Sequence, residues 1–177
     1  MSFWNLSDGN EVQAEGNFDA NPAIEPIPDG TTCVAALDSI QWEVKELEGV
    51  ADELIEGRWV VLDGEHKNRK VYQKLRVLES DMKKADKAVK MLAAIDKNAG
   101  GGLMKEVKER PTDDQLAMHL LGKPMLVRFQ VWEMNNNSGN WVSAVAPSDG
   151  QIQAPNVMKP AVHSTPSGGD IEQDIPF

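Results

Sequence analysis

A mainly β domain with a helical insertion is the fold class this sequence predicts. Three observations predict it. Residues 70–78 and 125–133 alternate side-chain character at period two, an amphipathic helix lies between them, and turn residues punctuate the chain on either side. In chain order, residues 1–29 are acidic and rich in Asn, Gly and Pro, with isolated Phe3, Trp4, Leu6 and Phe18 and no periodicity. They read as an irregular arm pinned to the domain by its aromatics. Asp29-Gly30 signals a turn, and a first strand is expected from Thr31 to about Val44. Thr32, Val34 and Ala36 on one face and Cys33, Ala35 and Leu37 on the other leave both faces largely apolar, with a bend expected near Asp38-Ser39.

A second strand reads from about Leu54 to Leu62, followed by a polar loop through Asp63–Asn68. The third, Lys70 to Leu78, puts Val71, Gln73, Leu75 and Val77 on one face and Lys70, Tyr72, Lys74 and Arg76 on the other. A helix follows from about Met82 to Ala99, gathering Ala85, Ala88, Val89, Leu92 and Ile95 on one side and Lys83, Lys87, Lys90 and Lys97 on the other. Gly100-Gly101-Gly102 stops it. Thr112-Asp113-Asp114-Gln115 is a capping box that opens a second, short helix ending at Gly122. Strands are then expected over Met125–Glu133 and Asn140–Ala146, joined by a polar loop of residues that tolerate positive φ.

Five strands with a helical segment (about 82–121) between the third and fourth is the connectivity of the OB-fold, a five-stranded Greek-key barrel whose central strands bind oligonucleotides. The expected organisation is an arm over 1–29 packed on the barrel, an OB-like domain over 30–146, and an acidic tail over 147–177. That tail is Pro-, Ser- and Gly-rich and reads as disordered.

A net charge of −10 argues at first against a nucleic-acid partner, but it is unevenly distributed. Residues 1–56 hold 13 acidic side chains against one lysine, a net −12. Residues 57–108 hold 13 basic against 7 acidic, a net +6, and residues 109–177 return to −4. No apolar run spans a bilayer, the N-terminus lacks the regions of a signal peptide, and the lone Cys33 fits a reducing cytosol. No membrane partner is expected. Nothing in the sequence sets the oligomeric state.

Binding a single strand requires cations to follow phosphates and flat rings on which bases stack. Candidates for that work are Lys70, Tyr72, Lys74 and Arg76 on the third strand, with Lys67 and Arg69 at its start. Arg58 and Trp59 on the second, Arg128 and Trp132 on the fourth and Trp141 on the fifth complete the set. Tyr72, flanked by cations, is the best stacking platform. The helix lysines are as well explained by a solvated face. Searches for catalytic and metal motifs return nothing. His66, His119 and His163 form no zinc-like spacing, Gly122-Lys123 lacks the P-loop pattern, and there is no nucleophile elbow. No enzymatic activity and no cofactor are expected.

The final residues Asp174-Ile175-Pro176-Phe177 follow an acidic stretch and resemble the C-terminal tip of bacterial single-stranded DNA-binding proteins. That resemblance implies docking on replication, repair and recombination proteins, with Phe177 and its carboxylate as anchor. Gln173 interrupts the acidity usual there. The body, over about residues 1–146, is similar to a family of uncharacterised phage proteins. The likeness lies in Met1-Ser2-Phe3-Trp4-Asn5-Leu6-Ser7-Asp8-Gly9, Glu25-Pro26-Ile27-Pro28, Lys67-Asn68-Arg69-Lys70-Val71 and Met91-Leu92-Ala93-Ala94-Ile95-Asp96. Together these imply single-stranded DNA binding in phage replication or recombination, in the cytoplasm of a bacterial host. The competing expectation is an acidic interaction protein or DNA mimic acting on recombination enzymes.

Overall fold

The computed structural model describes residues 3–13, 24–47 and 49–152. It is mainly β. Strands β1 (Thr32–Leu47), β2 (Val50–Val61) and β3 (Lys70–Leu78) precede helices α1 (Met82–Ala99), α2 (Gly102–Glu106) and α3 (Asp113–Leu120), and β4 (Met125–Met134) and β5 (Asn137–Pro147) follow. The strands form one open antiparallel sheet in the order β3-β2-β1-β4-β5. β3 and β5 are therefore its two edges.

The expected bend in β1 is a bulge. Leu37 pairs with Trp59 and Ser39 with Arg58, which leaves Asp38 as the extra residue. The apolar character of both faces just before it is explained by burial of Ala35, Ala36 and Leu37 in succession. β3 follows its alternation closely, with Val71, Gln73 and Leu75 buried between exposed Lys70, Tyr72 and Lys74. β2 begins at Val50, earlier than expected, because residues 50–53 pair in register with the end of β1. The expected six-residue loop between the last strands is a tight hairpin. Met134 pairs with Asn137, and Asn135 and Asn136 both take positive φ, 50° and 63°.

α1 is capped by Asp81, whose carboxylate accepts from the amides of Lys83 and Lys84, and ends at Gly100 with φ 119°. Val89, expected on its apolar side, is exposed at the margin of the stripe. The triple glycine ends α1 as expected, and a short α2 that the sequence did not announce starts at Gly102. The buried Asp96 carboxylate accepts from Leu103 and Met104 amides at 2.9 Å each, which turns the chain into α2. The Thr112/Gln115 capping box is present at α3. The core lies between the sheet's inner face and the helices, around Trp59, Phe129, Ile55, Ile95, Leu116 and Leu120. Among the described residues no helix is long and apolar enough to cross a membrane.

Candidate nucleic-acid interface

The edges β3 and β5 are not hydrogen-bonded to one another. They nevertheless approach one another, and α1 packs against both. Between the two edges and the helix runs a groove of about 1220 Å³. Its cations come from two elements. β3 and the residue before it contribute Arg69, Lys70, Lys74 and Arg76, and α1 contributes Lys84, Lys87 and Lys90. No Asp or Glu lines it. Tyr72, Trp132 and Trp141 supply three aromatic rings. Tyr72 is 55% exposed, whereas the two tryptophans are half-buried on the opposite side.

Local structure explains these placements. Period-two alternation turns Lys70, Tyr72, Lys74 and Arg76 outward while their neighbours enter the core. On α1, Lys84, Lys87, Met91 and Ala94 fall on one stripe along the flank of the buried face. Trp132 lies over Gly139, its cross-strand partner. A Cβ at Gly139 would stand 2.7 Å from the indole ring, so the missing side chain is what lets the ring lie against the strand. The arm closes one end. Ile24 and Pro26 line the groove, the Arg69 guanidinium donates to the Glu25 carbonyl at 2.7 Å, and Asn140 exchanges two hydrogen bonds of 2.8 Å with the backbone of buried Ile27.

Seven of the eleven expected contact residues meet here: Arg69, Lys70, Tyr72, Lys74, Arg76, Trp132 and Trp141. The other four do not. Trp59 is fully buried, with its indole N–H donating to Gln73 Oε1 at 2.8 Å, because the bulge at Asp38 leaves it opposite Leu37 on the inner face. It is a core residue and offers no ring to a base. Arg58 lies on the outer face of β2, bound through Nε to Asp38 Oδ1 at 2.7 Å and paired across the ladder with Tyr72. Asp38 first, and the Tyr72 hydroxyl next, hold its guanidinium above its ordinary pKa. Lys67 is exposed in the β2–β3 turn, outside the groove. Arg128 is half-buried and donates from Nε to Ser143 Oγ at 2.9 Å.

Sequence reasoning missed the helix wall. It could not tell a phosphate-guiding stripe from a solvated face and omitted Lys84, although the i, i+3, i+7 spacing of Lys84, Lys87 and Met91 already marked a mixed stripe beside the apolar one. The tip expected to bind partners, Asp174 to Phe177, lies outside the described residues. Elsewhere, Cys33 packs half-buried at the core's edge, where burial and then Asp63 push its thiol pKa up. No cluster of three metal-ligating side chains occurs among the described residues.

One family model matches residues 16–155 of the sequence. The chain belongs to that family, described as protein of unknown function (DUF669). The DUF669 match takes in all five strands, the three helices and every residue lining the groove. Most of the opening segment and the terminal tip fall outside it. No curated protein matches the sequence.

Proposed function

We propose that this protein binds single-stranded DNA in the groove between β3 and β5, and that its sheet and bridging helix are an OB-like barrel left open along one seam. The observation that carries the reading is seven cations, with no lining carboxylate, beside three aromatic rings. Carboxylates would repel phosphates, and none lines the groove in a chain with 28 acidic side chains, although Lys74 pairs with Glu56 at 3.7 Å and Arg76 with Asp52 at 3.9 Å from outside it. Lys70, Lys87 and Lys90 form no ion pair among the described residues. Tyr72, Trp132 and Trp141 offer stacking faces, worth roughly 1–3 kcal/mol per base.

In this reading the acidic tail recruits replication or recombination proteins through Asp174 to Phe177, in the cytoplasm of a phage-infected bacterium. The function is binding rather than catalysis, with no cofactor. The deciding experiment is a gel-shift series with single- and double-stranded oligonucleotides at two salt concentrations. Binding to the single strand that weakens steeply with salt is the expected outcome. Absence of any salt-dependent binding defeats the proposal and leaves the acidic interaction protein in its place.

A further inference from the structure

The groove's two walls are chemically unlike. All seven cations stand on the side formed by β3 and α1. The side formed by β4 and β5 contributes Trp132, Gly139, Asn140, Trp141 and the segment Val142–Val145, none of them charged. A double helix presents phosphates on both flanks and keeps its base faces stacked inside. It has no uncharged side to offer the β4–β5 wall. A single strand has two unlike sides, a charged sugar–phosphate edge and an uncharged edge of bases.

We propose that the groove binds a single strand in one rotational setting, with its phosphates against the β3–α1 wall and its bases turned onto Trp132 and Trp141. This inference rests on the functional reading above and adds to it which wall meets which part of the strand. Two further details support it. Gly139 leaves the Trp132 ring lying against the strand, so the ring is set before a ligand arrives. Asn140, between the rings in sequence, is committed to Ile27, which anchors that wall to the arm. Lys87 and Lys90 lie on the facing helix with no acidic partner among the described residues.

The test uses the full chain and three ligands of equal length: oligothymidylate, an abasic sugar–phosphate oligomer, and the duplex of oligothymidylate with oligoadenylate. If oligothymidylate shows no salt-dependent binding, the functional reading itself falls. Where it does bind, it should exceed the abasic oligomer by roughly 5- to 150-fold for each stacked base, and it should also exceed the duplex. Lys87→Gln with Lys90→Gln should lower the slope of log affinity against log salt by about 1.4, for oligothymidylate and abasic oligomer alike. Trp141→Ala should weaken oligothymidylate and leave the abasic oligomer unchanged. Because Trp141 is half-buried, the unsubstituted protein supplies an independent reading. Photocrosslinking from 5-iodouracil-containing oligothymidylate should place the adduct on Trp132 or Trp141. Adducts confined to β3 or α1 overturn the proposed setting. So does an unchanged salt slope in the lysine pair, equal binding of the duplex, or an equal loss of both oligomers in Trp141→Ala.

Discussion

Two sites in this molecule bring tryptophan near cations among the described residues, the Trp42 cluster and the groove, and they are built differently. Where β1 and β2 converge on the segment before α3, Arg110 lies 4.5 Å from the Trp42 ring centre, Trp42 Nε1 donates to Glu53 at 3.0 Å, and Arg110 reaches the same carboxylate at 3.5 Å. Ring, cation and anion satisfy one another there. In the groove, Trp132 and Trp141 line one side and the cations the other, and the carboxylates that pair with Lys74 and Arg76, Glu56 and Asp52, stand outside the lining. A ring beside an arginine is thus no signature of nucleic-acid binding. The placement of acidic side chains separates an internal cluster from the proposed interface.

Substitutions should pull the two sites apart. The largest expected effect is on stability. Trp42→Ala removes a half-buried ring, its hydrogen bond to Glu53 and the stacked Arg110. It should destabilise the fold by about 2–3 kcal/mol in denaturant titration, with binding per folded molecule unchanged. Lys87→Glu places into the groove the carboxylate it lacks. It should lower the salt slope for oligothymidylate by at least about 0.7 and leave the melting temperature nearly unmoved. A salt slope equal to that of the parent protein would contradict the electrostatic account of the groove.

Tyr72→Ala comes next. Tyr72 stands on the cationic wall, away from the uncharged one, so its loss should weaken binding by about 1 kcal/mol, the low end for stacking, at constant salt slope. A fall in melting temperature with intact binding would instead make it a packing residue. Arg58→Gln should show the smallest change. Its charge already meets Asp38 at 2.7 Å, outside the groove, so the salt slope should stay put and the melting temperature should hardly move. Deleting Asp170 to Phe177 should leave oligonucleotide affinity equal or slightly raised while abolishing partner pull-down. A large loss of affinity in that truncation would count against a recruiting tail.

The strands were readable because alternation reports directly which side chains face the core, and β3 and α1 fall on the residues that alternation and periodicity chose. What sequence could not settle was position across strands. Trp59 and Trp141 look alike along the chain, each beside valine, yet one lies opposite Leu37 in the core and the other opposite Gln130 on the groove side. The difference arises from pairing register and from the bulge at Asp38, which are long-range properties. The lysines of α1 were visible as charge, but their place in the groove depends on the helix packing on two strand edges distant in sequence. Two consecutive asparagines at positive φ made a tight hairpin where only a polar loop was expected, because either asparagine alone is compatible with both.

The unpaired seam between β3 and β5 bears on what shape of ligand the proposed groove would accept. A closed tunnel must be threaded from a terminus. A trough bordered by two strand edges takes a polymer sideways, at any point along its contour. Covalently circular single strands should therefore associate as fast as linear ones of the same length, and a bulky block at both termini should not slow loading. Stopped-flow mixing with circular and end-blocked oligonucleotides would measure both rates.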